Sequence, residues 1–256
     1  MQPRDASVVA DRIEDELRRR GNAERAEGAR RYLKSTLLFV GADAATIRKS
    51  VRGVLTDAGP VEREPALALV DALWRRGIFD LRAAAVEILR ARVGVLQADD
   101  LALVESFIRD SRTWALVDVL AVHVAGPLVV RFPDLGIRLD RWAGDADFWV
   151  RRAALLALLL PLRRGAGDFE RFARYADDML EEREFFVRKA IGWVLREVGK
   201  KRPTLVAAWL APRTQRLSGV TVREAVRYLP AEPRAALLAA YRERRPAANV
   251  RGDGRD

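Results

Sequence analysis

A short helical phrase returns at nearly constant intervals along the chain, and that recurrence restricts the fold more than any other feature. Leu81-Arg82-Ala83-Ala84, Leu116-Val117-Asp118-Val119, Arg151-Arg152-Ala153-Ala154, Arg188-Lys189-Ala190-Ile191 and Arg223-Glu224-Ala225-Val226 align on positions 82, 117, 152, 189 and 224, with steps of 35, 35, 37 and 35 residues. Strand signals are scarce. Apolar residues recur at spacings of three and four, Ala and Leu dominate, and Gly or Pro punctuates at short intervals. The chain is predicted to be all-α.

A period in this range, with small residues mid-helix, predicts stacked helical pairs of the HEAT/armadillo type wound into a right-handed superhelical solenoid with a concave basic face. Each pair cannot bury its apolar side alone, so stacking builds a continuous core. Alanines such as Ala83, Ala153 and Ala190 let neighbouring helices approach closely. Asp80, Asp147 and Glu184 suit the positive helix N-termini. One repeat domain is expected over residues 1–241. Its first 60 residues form a helical cap beginning with Val8–Arg20 and Ala23–Ser35, and the repeats fill 61–241. A disordered tail is expected over 242–256, where the Arg251-Gly252-Asp253 triplet reads as chance.

Composition narrows the chemistry. Of 256 residues none is Cys and one, His123, is His, so a zinc finger, a disulfide framework, a Cys nucleophile, a histidine metal cage and a Ser-His-Asp triad are all disfavoured. The N-terminus lacks the apolar core of a secretory signal, and Ala153–Leu160 is too short to cross a bilayer. A cytoplasmic, nucleoid-associated monomer without metal, cofactor or membrane partner is expected. The formal charge is +10, and only five of the 46 basic residues are lysines (Lys34, Lys49, Lys189, Lys200 and Lys201). Such an arginine excess has two readings: a polyanionic partner, or solvated helix faces filled with Arg through genome base composition.

Side chains at matching repeat offsets favour the first. Trp114 and Asp118 stand four apart on one helix face, and Asp118 takes the offset where other repeats carry alanine. A carboxylate suits that position only if it faces a groove or is paired. Lys189, Trp193, Arg196 and Lys200 form one stripe alternating cation and indole, and Arg151 and Arg152 sit beside Ala153 between the two groups. Aromatic faces among cations fit a sugar–phosphate backbone. Each alone has a plainer reading: a Trp at helical spacing packs a core, an Asp caps or is solvated, and a basic stripe is a wet face. Their joint occurrence at equivalent places favours function. Trp74, Trp142, Trp149 and Trp209 read as packing residues, and His123 as packing or hydrogen bonding.

TWALVDVLA, FWVRRAALLALL and FFVRKAIGWVLREVGKKRP resemble the AlkD-like DNA alkylation repair family of HEAT-repeat DNA glycosylases, as do Arg31–Arg52 and Ser218–Pro230. The resemblance spans about Glu24 to Pro230 and is most specific at KAIGWVLRE. It implies hydrolysis of the N-glycosidic bond of cationic N3- or N7-alkylated purines, such as 3-methyladenine or 7-methylguanine, in double-stranded DNA. The implied enzyme is monofunctional, leaves an abasic site and acts without base flipping. The catalytic pair maps onto Trp114 and Asp118, and the second cleft tryptophan onto Trp193. The backbone arginines map onto Arg152 and Arg196. Arg188, Lys189 and Lys200 are further DNA-binding candidates, and Lys34, Arg48 and Lys49 are backbone-contact candidates. The segment LKSTLLFVG replaces a more polar one of some relatives, so no catalytic residue is carried over there.

Two other readings stand beside this one. A repeat protein can bind damaged or branched DNA without excision, although Asp118 argues against that. A protein-binding adaptor would instead carry apolar anchors and mixed charge on the same face.

Overall fold

The computed structural model describes residues 3–57 and 62–243, and their regular structure is helical apart from one parallel bridge between Leu38 and Ile78. The chain divides into two compact units, Met1–Arg138 and Leu139–Asp256.

The first unit contains α1 (Pro3–Arg20), α2 (Ala23–Leu33), α3 (Ala44–Asp57), α4 (Arg63–Trp74), α5 (Phe79–Ala91), α6 (Asp100–Ser111), α7 (Trp114–Leu120) and α8 (Gly126–Arg131). On α1, Ala6, Ala10, Ile13 and Leu17 stand four, three and four residues apart and are all buried, on a helix packed against α3 and α4. Full burial of each larger side chain contributes roughly 1.5–3 kcal/mol. The loop between α2 and α3 returns to the α1–α2 corner through Gly41, whose φ is +78°. A Cβ there would fall 2.1 Å from the Asn22 carbonyl oxygen, so glycine is required. Asp80 stands in the first turn of α5, as expected, and also accepts the Val40 and Ala42 N–H groups at 2.9 and 2.8 Å, tying this loop to α5. Burial pushes its carboxyl pKa up against those hydrogen bonds.

Between α7 and α8 the helix continues through a π-helical turn, Ala121–Ala125, in which the Gly126 N–H reaches back five residues to the Ala121 carbonyl. Pro127 accounts for this turn. It offers no N–H and its ring would collide with the carbonyl four residues earlier, so the wider turn relieves the clash without breaking the helix. The uninterrupted span Trp114–Arg131 is long and apolar enough to cross a membrane by length and composition, yet half of it is buried inside the protein. Its α7 portion packs on α5 and α6.

Helix α9 (Gly136–Ala143) spans the division between the units. The second unit continues with α10 (Phe148–Ala157), α11 (Leu159–Arg163), α12 (Phe169–Asp178), α13 (Phe185–Gly199), α14 (Pro203–Leu210), α15 (Gly219–Ala225) and α16 (Ala231–Glu243). Its centre is α13, which packs on α10, α11, α14 and α15 and buries Val187, Ile191, Val194, Leu195 and Val198. Asp147 caps α10 as expected, accepting the Trp149 N–H at 2.8 Å, whereas Glu184 occupies the α13 N-cap without a side-chain bond. The tail expected from residue 242 lies outside the described residues beyond Glu243, as does the Arg-Gly-Asp triplet.

The sequence period reappears as polar ties between successive helix pairs. In the first unit Arg63 grips Asp100 at 2.6 Å, and Trp74 Nε1 donates to Asp110 at 2.9 Å. Arg131 donates to the Gly94 carbonyl at 2.7 Å. In the second, Tyr175 donates to Asp140 at 2.6 Å, and Arg213 and Arg216 pair with Asp177 and Glu181. These partners are 35–37 residues apart. A share of the arginine excess therefore ties repeat to repeat.

Candidate functional site

Trp114 opens α7, directly after Thr113, whose hydroxyl accepts the Ala115 N–H at the helix N-cap. One turn on, Asp118 lies on the same face, and both side chains are partly exposed. The intervening Leu116 and Val117 turn into the core and fix the helix's rotation. Asp118's repeat counterpart Ala83 is also partly exposed, whereas Ala153, Ala190 and Ala225 are fully buried. The first unit thus turns this offset toward solvent, and the carboxylate does not occupy a packing position.

Two neighbours complete the surroundings. The ring of Tyr32, 73% exposed at the end of α2, stands edge-on to Trp114 with centroids 5.9 Å apart and planes at 84°. Arg48 lies on a pocket of about 240 Å³ whose wall includes Ala83, Ala115 and Val119. Lys34 and Lys49 are exposed, Lys34 in the left-handed conformation that ends α2. Nothing in the sequence singles out Tyr32 as a site residue. An aromatic among the cations Arg30, Arg31 and Lys34 is a weak pattern until the fold sets the ring against Trp114.

The candidates of the second unit divide into exposed and internal groups. On α13, Lys189 and Lys200 are exposed, while Arg188, Trp193 and Arg196 are partly buried. Arg196 pairs with Glu224 of α15 and lies 3.5 Å from Glu197. Lys200 meets Glu197 at 2.8 Å, and Arg163 reaches the same carboxylate at 3.2 Å. Burial raises the Glu197 pKa, but the hydrogen bond from Lys200 and the charges of Arg163 and Arg196 outweigh it, so the carboxyl is held low. Arg188 is spent on the Glu182 carbonyl.

Arg152 differs from the expectation of a cation presented to DNA. It is 3% exposed, donates to the Phe186 carbonyl and lies over the Phe186 ring. Its neighbour Arg151 grips Glu182 at 2.6 Å. The guanidinium turns inward because the start of α13 puts a carbonyl oxygen, which has a second lone pair to offer, and an aromatic face within its reach. Arg82, at the same offset two repeats earlier, does likewise with Asp110. Trp74, Trp142 and Trp209 are buried, and Trp149 stacks with Phe148 and Phe186 at 4.5 and 4.9 Å. Among the described residues no group of three His, Cys, Asp or Glu side chains could hold a metal ion.

In the first unit a partly exposed indole and carboxylate share one turn, and in the second a basic helix carries a partly exposed indole; side chains of these types suit a substrate that is both anionic and sugar-like. The family profile described as DNA alkylation repair enzyme matches residues 13–229. The chain belongs to the DNA alkylation repair enzyme family. DNA is accordingly its partner and repair of alkylated DNA its general role. Members of this fold among solved structures include a predicted DNA alkylation repair enzyme from Enterococcus faecalis, 22% identical, covering 83% of this chain and 98% of that one with a TM-score of 0.74. AlkD2 from Streptococcus mutans is 20% identical over 72% of this chain and 91% of its own, with a TM-score of 0.57. Smu.31 from Streptococcus mutans UA159 is 18% identical over 80% and 100%, also at 0.57. At these identities the likeness is one of fold, a helical repeat architecture. No curated protein matches the chain.

Proposed function

We propose that the protein is a monofunctional DNA glycosylase that releases cationic N3- or N7-alkylated purines from duplex DNA. The reading is carried by the partly exposed Trp114–Asp118 pair on one face of α7, in a chain of the DNA alkylation repair family. Alkylation at N3 or N7 leaves the purine positively charged. When the C1′–N bond breaks, its electron pair returns to the ring and cancels that charge, so the base leaves without being protonated. The barrier is then mainly formation of the oxocarbenium sugar.

Asp118 is assigned to stabilise that cation and to orient the water whose oxygen bonds to C1′ as it gives up a proton to the solvent. The indole faces of Trp114 and Trp193 are assigned to the deoxyribose and its developing charge. Arg196 and the exposed Lys189 and Lys200 are assigned to backbone phosphates, with Arg48 a further contact in the first unit. No Lys or other amine stands in the reading as a nucleophile, so an abasic site is the product.

The experiment that tests this reading compares lesions of different charge. Purified protein is incubated with duplexes carrying 7-methylguanine, 3-methyladenine or the neutral base hypoxanthine, and free base is measured. Release of the two cationic bases and retention of hypoxanthine is expected. Binding without any release would make the protein a non-catalytic reader of damaged DNA.

A further inference from the structure

Helices α13 and α15 meet at a glycine. A Cβ on Gly192 would lie 2.7 Å from the Glu224 Cβ and 2.9 Å from the Thr221 carbonyl oxygen, so the two backbones approach as closely as they can. The Thr221 hydroxyl also donates to the Arg188 carbonyl at 3.0 Å, which fixes the pair in register. This close contact brings Lys189 of α13 and Arg223 and Arg227 of the α15 segment to one cleft of about 260 Å³, together with Phe185, Val220 and Glu224.

The charge there is unbalanced. Lys189, Arg223 and Arg227 are exposed, and none has an ion-pair partner among the described residues. The single acid in the cleft, Glu224, is already paired with Arg196. Exposed rings border the cations: the Lys189 ammonium lies 5.8 Å from the Phe185 ring, and Arg227 and Lys200 lie 5.9 and 4.8 Å from Tyr228. Gly219 leaves space for Arg223, since a Cβ there would come within 2.9 Å of its guanidinium. Other arginines of the unit are neutralised by the adjoining repeat, Arg213 by Asp177 and Arg151 by Glu182. Here three unneutralised cations share one concavity.

We infer that Arg223 and Arg227, with Lys189, form a phosphate-binding locus that grips the backbone of duplex DNA irrespective of the lesion. The inference rests on DNA as the partner, and not on excision. The aromatic rings hold the cations in place and offer apolar edges to the deoxyribose between phosphates. Each phosphate neutralised releases condensed counterions, so the locus has a thermodynamic signature.

The test measures the affinity of the full chain for an undamaged duplex across a salt series, using wild type, Arg223→Gln/Arg227→Gln, Arg223→Lys/Arg227→Lys and, as a control, Arg216→Gln. The glutamine pair is expected to flatten the slope of log K against log salt by about 2, with weaker binding to damaged and undamaged duplex alike. The lysine pair is expected to keep the wild-type slope, and so is the control. A wild-type slope in the glutamine pair overturns the locus, as does an equal flattening in Arg216→Gln or no duplex binding by wild type. Binding that follows the expected slopes in a protein that releases no base sinks the glycosylase reading and leaves this one standing.

Discussion

The guanidinium of Arg152 is turned inward onto the Phe186 carbonyl, joining the helix pair of α10 to that of α13. Arg152→Ala is therefore expected to act on stability. Removing a buried, hydrogen-bonded guanidinium and its packed stem costs about 2 kcal/mol, a fall in Tm of roughly 4–8 °C. The salt dependence of DNA binding is expected to keep its wild-type slope. A shallower slope with an unchanged Tm, by calorimetry and salt titration, would return Arg152 to the phosphate backbone.

Asp110 provides the matching case in the first unit. It accepts from Trp74 Nε1 and from Arg82, whose own pKa burial pushes down despite the neighbouring carboxylate. Asp110→Ala strands a buried guanidinium and an indole N–H, and is expected to cost about 2–3 kcal/mol after allowance for Asp110's partial exposure. Removing the exposed helical pair partner Asp71 of Arg75 is expected to cost no more than about 0.5 kcal/mol. Urea titration of the two variants measures the contrast, and equal midpoints would contradict it.

How much of this was legible in the sequence depends on side-chain reach. The 35-residue period, the helices and the buried Trp74, Trp142 and Trp209 follow from spacing alone, because small and apolar residues at a helical period have one place to go. Arginine does not. Arg152 and Arg196 carry the same symbol in the sequence, yet one caps a carbonyl inside the stack and the other pairs with Glu224 near the surface. Their fate depends on which neighbouring repeat offers an acceptor. Asp118 was legible as a mismatch with alanine, but its explanation needed the exposure of Ala83 against the burial of Ala153. Tyr32 lies 82 positions from Trp114, and no local pattern links them.

That contact yields a prediction. The edge-on Tyr32 ring restrains the Trp114 indole, so Tyr32→Leu is expected to slow base release several-fold while Tyr32→Phe, which keeps the ring, stays near wild type. Single-turnover rates measure this. Equal loss in both variants would shift the role from ring packing to the hydroxyl.

His123, in the π-helical turn beyond Asp118, has its pKa lowered by burial and by the charge of Arg90, against the opposing pull of Glu87. It is neutral in the folded protein at neutral pH. Below its unfolded pKa, near 6.5, the unfolded chain takes up a proton that the folded one resists. Stability is therefore expected to fall as pH drops from about 6.5 toward the lowered value, with no contribution from this group above that range. His123→Gln is expected to remove this component of the slope, read from Tm between about pH 5 and 7. An identical slope in the variant would assign the acid sensitivity to other groups.

The most direct test of the central claim is the single-turnover rate of 7-methylguanine release from duplex DNA by wild type and by Asp118→Asn, with DNA affinity measured in parallel. Wild type is predicted to release the base, and the variant to bind DNA as tightly but to release it roughly 10²–10³ times more slowly. Equal rates in the two proteins would contradict the role assigned to Asp118, and no release by wild type would contradict the glycosylase itself.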